Sequence, residues 1–278
     1  MFSQFTKPLI MGILNVTPDS FSDGGKFSDV NAAISQVKRM ISEGVDIIDI
    51  GGESTRPGSE PVSPAEQQQR VIPVIKAIRQ TLNSDILISI DTTSSRVAKA
   101  ALEAGADIIN DVSAGLEDPE ILKVAATFQV PIILMHRQGT PKTMQDNPYY
   151  DDVVPEVINT LLTQIASAIQ SGIKKENILI DPGIGFGKRK QDNLELLAHL
   201  DKFVALGFPV LLGTSRKRFM GTICNVTEPA ELVTATAVTT ALGVMAGVQL
   251  FRVHDVKENR QAADVAWAIK NFALFAVP

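Results

Sequence analysis

Eight short apolar runs recur along the whole chain, and each ends at a glycine or a polar residue. They lack apolar–polar alternation, which is typical of strands buried on both faces of a parallel sheet. In chain order the runs are PLIMGILNV, VDIIDIGG, DILISID, ADIINDVS, VPIILMH, NILIDPG, PVLLGTS and VQLFRVHDV. This recurrence predicts eight buried parallel strands.

The segments between the runs have helical spacing. SPAEQQQRVIPVIKAIRQTL begins with Ser63 as a cap, Pro64 at the first helical position and Glu66 three residues after the cap. A final helix is expected to carry Trp267 on its buried side. In DVNAAISQVKRMISEG one apolar stripe is formed by Val30, Ala33, Ile34, Val37 and Ile41.

Strand and helix alternate eight times, without a linker or a composition shift that would mark a domain boundary. This order predicts an α/β fold, namely a single-domain (β/α)8 TIM barrel covering residues 1–278. A doubly wound open sheet is the alternative. It is the weaker one, because eight regular units close naturally into a ring.

Composition narrows the possible partners. The 278 residues carry a net charge of -5 at pH 7, which argues against a general binder of nucleic acid or of anionic membranes. The sequence shows no signal-peptide pattern and no stretch of about 20 lipid-compatible residues. Its one cysteine, Cys224, suits a reducing compartment. We therefore expect a cytoplasmic protein that acts on small molecules.

In such a barrel the carboxyl ends of all strands meet on one face, where barrel enzymes place their sites. Here every predicted strand ends in polar groups. We interpret Asp111 and Asp255 as caps or turn residues and His199 as an ordinary surface or boundary residue. The side chains at the strand ends are Asn15, Glu53, Ser54, Thr55, Arg56, Asp91, Asn110, Asp111, Met135, His136, Asp181, Ser215, Lys217, Arg252 and His254.

Two kinds of chemistry are mixed on that face. Carboxylates and amides suit a planar heterocycle with adjacent N–H donors; this set is Asp91, Asn110 and Asp181. Cationic and imidazole donors suit a phosphate or diphosphate; this set is Arg56, Lys217, Arg252 and His254. Asn15 is an uncharged oxygen ligand that could help to seat Mg2+.

The stretch ILIDPGIGFGKRK, residues 178–190, matches neither common nucleotide motif. In a Walker A alignment Pro182 occupies the glycine position and Arg189 follows Lys188. The dinucleotide fingerprint also fails, because the glycines alternate at 183, 185 and 187. We interpret these glycines as serving the backbone path. The basic run of Lys188, Arg189 and Lys190 is interpreted as a solvated edge.

Eight motifs in order resemble those of the bacterial dihydropteroate synthase family of pterin-binding proteins: NVTPDSFSDGG, DIGGESTRPGS, SIDT, INDVSAG, LMHRQGTPKTMQ, DPGIGFGK, SRKRF and RVHDV. The resemblance implies a barrel, usually homodimeric, that joins 6-hydroxymethyl-7,8-dihydropterin diphosphate to p-aminobenzoate and releases diphosphate. It also implies that sulfonamides compete with p-aminobenzoate. The stretch 231–240, ELVTATAVTT, departs from the pattern, with Thr and Ala where members often carry Gly-Ser or Gly-Thr.

The resemblance further implies a role for each matching residue. The pterin would contact Asp91, Asn110, Met135, Asp181 and Lys217. The diphosphate would contact Asn15, Thr55, Arg56, Arg252 and His254, with Mg2+ held by Asn15. The p-aminobenzoate would contact Phe21, Pro57, Phe186 and Ser215. The catalytic set would be Asp23, Asp91, Lys217 and Arg252.

Three other functions remain open from the sequence alone. A pterin-binding methyltransferase would lack the loops TPDSFSDGG and STRPGS and would need a corrinoid partner. An aldolase-like enzyme would use Lys217 as a Schiff-base nucleophile. A non-catalytic pterin carrier would release no diphosphate when p-aminobenzoate is added.

Overall fold

Each of the eight apolar runs forms a strand. The structure, a computed structural model, describes residues 6–16, 26–54, 59–82, 85–140, 142–144 and 146–272, with residues 26–29 described by their backbone alone. The strands are β1 (Leu9–Asn15), β2 (Ile47–Gly51), β3 (Leu87–Asp91), β4 (Ile108–Asp111), β5 (Ile132–Met135), β6 (Ile178–Asp181), β7 (Leu211–Leu212) and β8 (Leu250–Val253).

Helices alternate with these strands along the chain. They are α1 (Lys26–Ser42), α2 (Pro64–Thr81), α3 (Ser95–Glu103), α4 (Glu120–Phe128), α5 (Val153–Gln170), α6 (Lys190–Ala198), α7 (Leu200–Val204), α8 (Arg218–Cys224), α9 (Val233–Ala246) and α10 (Val256–Lys270). Short 3-10 turns precede β6 and α9, at Lys175–Asn177 and Pro229–Glu231. Within the described residues, no helix is long and apolar enough to cross a membrane.

The strands form one parallel sheet that curls into a nearly closed barrel. Their order is β6-β5-β4-β3-β2-β1-β8-β7, and every paired neighbour runs parallel. The two ends of the sheet meet at a bridge between Ile180 and Val210, where the Ile180 N–H also donates to the Pro209 carbonyl at 3.0 Å. The predicted TIM barrel is confirmed, and the open-sheet alternative is wrong.

Two apolar layers hold this barrel together. The larger one lies between the strands and the surrounding helices. The smaller one fills the inside of the barrel and consists of Leu9, Met11, Ile47, Ile108, Ile133, Leu179, Leu211 and Leu250, with Leu87 packed against it. Because side chains alternate between the two faces of a strand, the residue two positions after each member points into the barrel as well. These next residues include Asp49, Ser89, Asn110, Met135, Asp181 and Arg252.

The barrel interior is therefore apolar at one end and polar at the other. The polar end is the carboxyl end of the strands, where the predicted site residues stand. Register places Asp49 beside Ser89, and Asp91 beside Asn110, on neighbouring strands. The apolar layer fills the barrel beneath them, so this polar end opens toward the mouth.

The predicted helical features are also confirmed. Ala33, Ile34 and Val37 are buried on α1, and the Ser63 hydroxyl accepts the Glu66 N–H at 3.3 Å as the cap of α2. Trp267 on α10 packs half-buried against the outer core. His199, at the junction of α6 and α7, is half-buried as expected.

Candidate active site

The strand ends bring the predicted polar residues together on one face of the barrel. β3, β4 and β6 contribute the buried side chains of Asp91, Asn110 and Asp181, and β5 ends at buried Met135. Other predicted site residues are half-buried and lie at or just after the ends of β1, β7 and β8. They are Asn15, Lys217, Arg252 and His254. Residues from distant parts of the sequence thus share one mouth.

Arg252 is the centre of a charge network inside this mouth. Its Nε donates to Asp49 Oδ2 at 2.6 Å, and its Nη2 donates to Asp91 Oδ2 at 2.5 Å. Asn110 Nδ2 donates to the same oxygen of Asp49 at 3.2 Å. Burial would lower the pKa of Arg252, but the charges of Asp49 and Asp91 raise it above its ordinary value. The guanidinium stays charged, and its contact with a diphosphate stays a prediction.

The buried carboxylates have strongly perturbed acidity. Burial raises the pKa of Asp91 to about 7, although the cation of Arg252 opposes this rise. Burial raises the pKa of Asp181 to about 6, against the effects of the Gly183 N–H and the Lys217 cation. Clustered groups with shifted pKa values are typical of functional sites.

Two oxygens in the network have spare hydrogen-bonding capacity. Among the described residues, Asp49 Oδ1 and Asp91 Oδ1 are buried without a hydrogen-bond partner. Nearly all buried polar atoms in folded proteins are paired, so an unpaired acceptor in a site is suited to a donor from a ligand. The arrangement can therefore bind a molecule that presents several N–H groups.

The loop after β6 is shaped by its glycines, as the sequence predicts. Gly183, Gly185 and Gly187 have φ values of +69°, +81° and +62°, in the left-handed region that favours glycine. A Cβ on Gly183 would lie 1.8 Å from the carbonyl oxygen of His136. The Gly183 N–H donates to Asp181 Oδ1 at 2.7 Å. The glycines therefore let the chain turn directly after Asp181, a candidate pterin-binding residue.

Lys188 corrects the interpretation of the basic run as a solvated edge. Its ammonium is buried and donates to His136 Nδ1, to the Gly183 carbonyl and to the Phe186 carbonyl. The glycine turns fold these carbonyls back around the ammonium, which the sequence pattern did not reveal. Arg189 is half-buried and bonded to Asp192 at 2.7 Å.

Burial and the nearby Lys188 cation lower the pKa of His136 to about 2, so this imidazole is neutral. Its Nδ1 can then accept the Lys188 hydrogen. Burial likewise lowers the pKa of Lys188 to about 7, an effect that the Asp181 carboxylate opposes. His136 therefore supports the loops after β5 and β6.

Two further contacts shape the mouth after β7. The Lys217 ammonium lies 4.1 Å from the centre of the Phe186 ring. The Ser215 hydroxyl accepts the His254 backbone N–H at 3.1 Å and lies 2.9 Å from His254 Nδ1. A cation, an aromatic ring, a hydroxyl and an imidazole are thus held side by side.

Two threonines of the stretch 231–240, Thr236 and Thr239 on α9, contact the loop after β7. The Thr236 hydroxyl accepts the Arg216 N–H at 3.2 Å and donates to the Leu232 carbonyl at 2.8 Å. The hydroxyls of Thr239 and Thr214 are 2.7 Å apart. The threonine hydroxyls of α9 therefore supply hydrogen bonds to the loop after β7.

Asp111 is a turn residue, as predicted. Its oxygens accept the Ser113 N–H at 2.8 Å, the Ser113 hydroxyl at 2.7 Å and the Gly115 N–H at 2.6 Å. Asp255 precedes α10 but makes no side-chain cap; it pairs with Arg216 at 2.6 Å. Neither carboxylate is needed to explain the chemistry of the mouth.

Five predicted site residues lie outside the described part of the chain, on the loops after β1 and β2. The described flank of the second loop is held by Glu53, which accepts the Val62 N–H at 2.8 Å and the Gln67 amide at 2.9 Å. The Ser59 hydroxyl donates to the Ser54 carbonyl at 2.5 Å. The five residues are Phe21, Asp23, Thr55, Arg56 and Pro57.

Asp49 is the main site residue that the sequence analysis missed. It is fully buried and accepts hydrogen bonds from both Arg252 and Asn110. Its signal is a charged residue in the middle of the apolar run VDIIDIGG. A carboxylate is almost never fully buried unless it is paired, so this position marks a buried partner.

Comparisons with known proteins agree with this geometry. The chain matches the family model described as pterin binding enzyme over residues 11–254. The parallel barrel with its polar mouth agrees with this match. The chain belongs to the family of pterin-binding enzymes. The match covers most of the barrel, from β1 to the end of β8.

Relatives identify the group within the family. A dihydropteroate synthase of Synechocystis sp. is 48% identical over 269 residues, which cover 97% of this chain and 92% of that protein. The Clostridium difficile dihydropteroate synthase, solved in the presence of pteroic acid, matches with a TM-score of 0.90 and 44% identity over 97% of this chain and 99% of that one. The Xanthomonas albilineans dihydropteroate synthase, solved with 4-aminobenzoic acid, matches with a TM-score of 0.88 and 45% identity. The match covers 98% of this chain and 95% of that one. The chain belongs to the dihydropteroate synthases, which are transferases.

Proposed function

We propose that the barrel mouth condenses 6-hydroxymethyl-7,8-dihydropterin diphosphate with p-aminobenzoate to give 7,8-dihydropteroate and diphosphate. The observation that carries this proposal is the set of buried acceptors at the inner end of the mouth. Asp91 and Asp181 are both buried there, and Asp91 keeps an unpaired oxygen among the described residues. Such a set matches the amino-pyrimidinone edge of a pterin, which presents adjacent N–H donors.

The pterin would lie deepest in the barrel. Asp181 would accept hydrogen bonds from the amino-pyrimidinone edge, and Asp91 and Asn110 would bind other parts of the ring system. Lys217 would donate to the carbonyl and ring nitrogen. The buried side chain of Met135, at the end of β5, supports an apolar contact with the flat ring.

The p-aminobenzoate would bind nearer to the loops. The Phe186 ring lies beside the Lys217 ammonium, and Ser215 would contact the carboxylate of the substrate. Phe21 and Pro57 would complete this site from the first two loops. Loop closure over a barrel mouth excludes water, which would otherwise compete with the amine as nucleophile.

The diphosphate would lie beside the outer cations. Asn15 and His254 are half-buried at the ends of β1 and β8, and Thr55, Arg56 and Arg252 complete the proposed set. Mg2+ fits this place because it commonly takes few protein ligands and binds phosphate oxygens directly. Among the described residues no group of three or more His, Cys, Asp or Glu side chains could hold a metal ion. In this proposal Asn15 would be the protein ligand of Mg2+, and the substrate would supply others. Bound Mg2+ would offset charge on the leaving diphosphate.

The reaction is proposed to be a dissociative substitution. The bond between the pterin methylene carbon and the diphosphate oxygen breaks, and its electron pair leaves with the diphosphate. Asp91, with Asp23, would favour the resulting cation, and Arg252 would neutralise the negative charge that accumulates on the diphosphate. The neutral aromatic amine then forms the carbon–nitrogen bond and loses one proton to water. An aniline nitrogen keeps its lone pair at neutral pH, so a general base is not required.

Two assays test the function and the mechanism separately. Purified protein given both substrates and Mg2+ should form dihydropteroate and diphosphate in equal amounts, and absence of both products would overturn the function. Protein given pterin diphosphate alone should show slow Mg2+-dependent cleavage. Complete inertness without the amine would count against dissociation while leaving the function intact.

A homodimer is part of the same proposal. α9 and α10 pack together, with the Thr240 hydroxyl donating to Asn259 at 2.7 Å. Both helices, together with Phe272 just after the end of α10, expose apolar side chains, which is typical of an association surface. We name this set the apolar face; it consists of Val238, Leu242, Met245, Val265, Ile269 and Phe272. The cytoplasmic location expected from the sequence stays a prediction.

A further inference from the structure

Lys188 is a buried cation that the proposed reaction does not use. Its side chain is 3% exposed, and its ammonium has three acceptors: His136 Nδ1 at 3.0 Å, the Gly183 carbonyl at 2.9 Å and the Phe186 carbonyl at 3.0 Å. An ammonium has three N–H donors. Each donor therefore has a partner within the protein, and a direct contact with a substrate would require one of these bonds to break.

The contacts of Lys188 join two loops that reach the mouth. The His136 backbone N–H donates to the Asp181 carbonyl at 2.9 Å, which continues the pairing of β5 with β6. The Tyr150 hydroxyl donates to the Gly187 carbonyl at 2.8 Å. The segment after β5 is thereby held against the segment after β6 on both sides of the Lys188 ammonium.

Phe186 is the residue whose position depends most directly on this arrangement. Its carbonyl accepts a hydrogen bond from Lys188, and its N–H donates to the Gly183 carbonyl at 3.1 Å. Its ring then lies 4.1 Å from the Lys217 ammonium. The Asp181 carboxylate is held differently, by the strand and by the Gly183 N–H. Loss of the Lys188 ammonium should therefore disturb Phe186 more than Asp181.

We propose that Lys188, bonded to His136, is a positioning residue that fixes Phe186 for the aromatic amine and leaves recognition of the pterin to other residues. This inference rests on the proposed function, because it takes Phe186 as part of the amine site. The buried lysine acts from behind the loop through the backbone. It thereby sets the affinity for one of the two substrates.

Steady-state kinetics with both substrates varied will test this role. Lys188→Met keeps the length of the side chain but removes all three donors, and the adjacent exposed Lys190 provides the matched control Lys190→Met. We expect Lys188→Met to raise the KM for p-aminobenzoate about tenfold, the scale of one lost aromatic contact, because Phe186 would no longer be held in place. The KM for pterin diphosphate should rise by a clearly smaller factor, because Lys188 acts on Asp181 only through its charge. Lys190→Met should resemble the unchanged protein. Equal changes in both KM values, or no change in either, would overturn the inference.

A second pair of variants decides the matter if Lys188→Met does not fold. His136→Asn keeps an acceptor near the position of Nδ1, whereas His136→Phe removes it. His136→Phe should raise the KM for p-aminobenzoate, and His136→Asn should restore most of the affinity. Identical behaviour of these two variants would contradict the role of the Lys188 contact. Failure of the unchanged protein to form dihydropteroate would instead overturn the proposed function, and this inference with it.

Discussion

At the scale of a residue, Asp181 combines a proposed binding role with a cost to the stability of the fold. Its carboxylate is buried, which raises its pKa to about 6. A water-exposed aspartate would be easier to ionise but would offer the pterin a solvated, weaker acceptor. Burial therefore leaves the carboxylate free of water for a ligand. It also raises the free energy of the ionised form in the protein without a ligand.

Removal of the Asp181 carboxylate should abolish recognition of the pterin. A site built around the donors of a ligand loses on the order of 10^4 in specificity when the matching acceptor is removed. We expect Asp181→Ala to lower kcat/KM for pterin diphosphate by about that factor, as measured in the dihydropteroate assay. Near-normal turnover would reject the role of Asp181.

Neutralising the same position should stabilise the fold at high pH. The folded-state pKa of Asp181 lies above its ordinary 3.8, so its favourable contribution is present below pH 3.8 and lost as the pH rises through about 6. Asp181→Asn should therefore raise the free energy of unfolding at pH 8 by up to about 3 kcal/mol, and this gain should vanish near pH 4. Urea unfolding at both pH values measures the difference. Asp118→Asn is the contrast: burial opposes the effect, but hydrogen bonds from Ser95 lower the pKa of Asp118, so this variant should lose stability at pH 8.

Asp49 should control the acidity of Asp91. Burial raises the pKa of Asp91, Arg252 lowers it, and the negative charge of Asp49 raises it further. We expect Asp49→Asn to lower the pKa of Asp91 below about 7, so kcat/KM for pterin diphosphate should begin its rise with pH at a lower pH. Rate profiles between pH 5 and 8 will show the shift. The exposed Asp201→Asn is the control, and an unmoved profile in Asp49→Asn would contradict the coupling.

At the scale of an element, the loop after β6 depends on contacts that only glycine permits. A Cβ on Gly187 would lie 2.3 Å from the carbonyl of Gln138, and Gly183 meets the carbonyl of His136 even more closely. Both carbonyls belong to the loop after β5. The two loops are thus packed backbone against backbone.

Two glycine substitutions separate this packing from simple backbone strain. Gly207 has a φ of +76°, but apart from its chain neighbours no atom lies within 4 Å of the point that a Cβ would occupy, so Gly207→Ala should cost only about 1–2 kcal/mol. Gly183→Ala has a similar φ and must also displace a carbonyl, which should cost at least about 2 kcal/mol more. Urea unfolding of both variants gives the comparison. Equal losses would show that contact with the loop after β5 is unimportant.

The elements differ in how far the sequence could predict them. The strands and their polar ends follow from the apolar runs, because burial on both faces leaves a strong pattern. The burial of Lys188 does not, since a basic run usually marks a solvated surface and only the folded loop brings carbonyls to the ammonium. Asp49 and Thr236 were missed for a related reason: their partners, Arg252 and Arg216, are distant in sequence.

At the scale of the whole molecule, closure of the ring turns eight separate strand ends into one mouth. The sequence predicted this closure from the regular alternation of strands and helices. It could not predict which polar groups pair inside the ring, because the pairing depends on the register between strands. Asp49 and Asp91 share Arg252 only after β2, β3 and β8 are aligned.

The apolar face predicts self-association of the whole protein. Leu242 is 61% exposed on α9, and a charge there should oppose burial against a second copy. We expect Leu242→Glu to shift the protein from dimer to monomer in sedimentation velocity, with its thermal unfolding retained. Leu162→Glu, an equivalent change on α5, should leave the dimer intact. A monomeric unchanged protein would contradict the proposed assembly.

The bridge between Ile180 and Val210 has a consequence for motion. Among the described residues this junction has one bridge, whereas β1 and β2 are paired over five positions. Thermal fluctuations should part the strands here more readily than elsewhere, because fewer hydrogen bonds must open. Asp181 and Lys217 follow the strands on either side of this junction, so the distance between them should fluctuate more than most distances across the barrel.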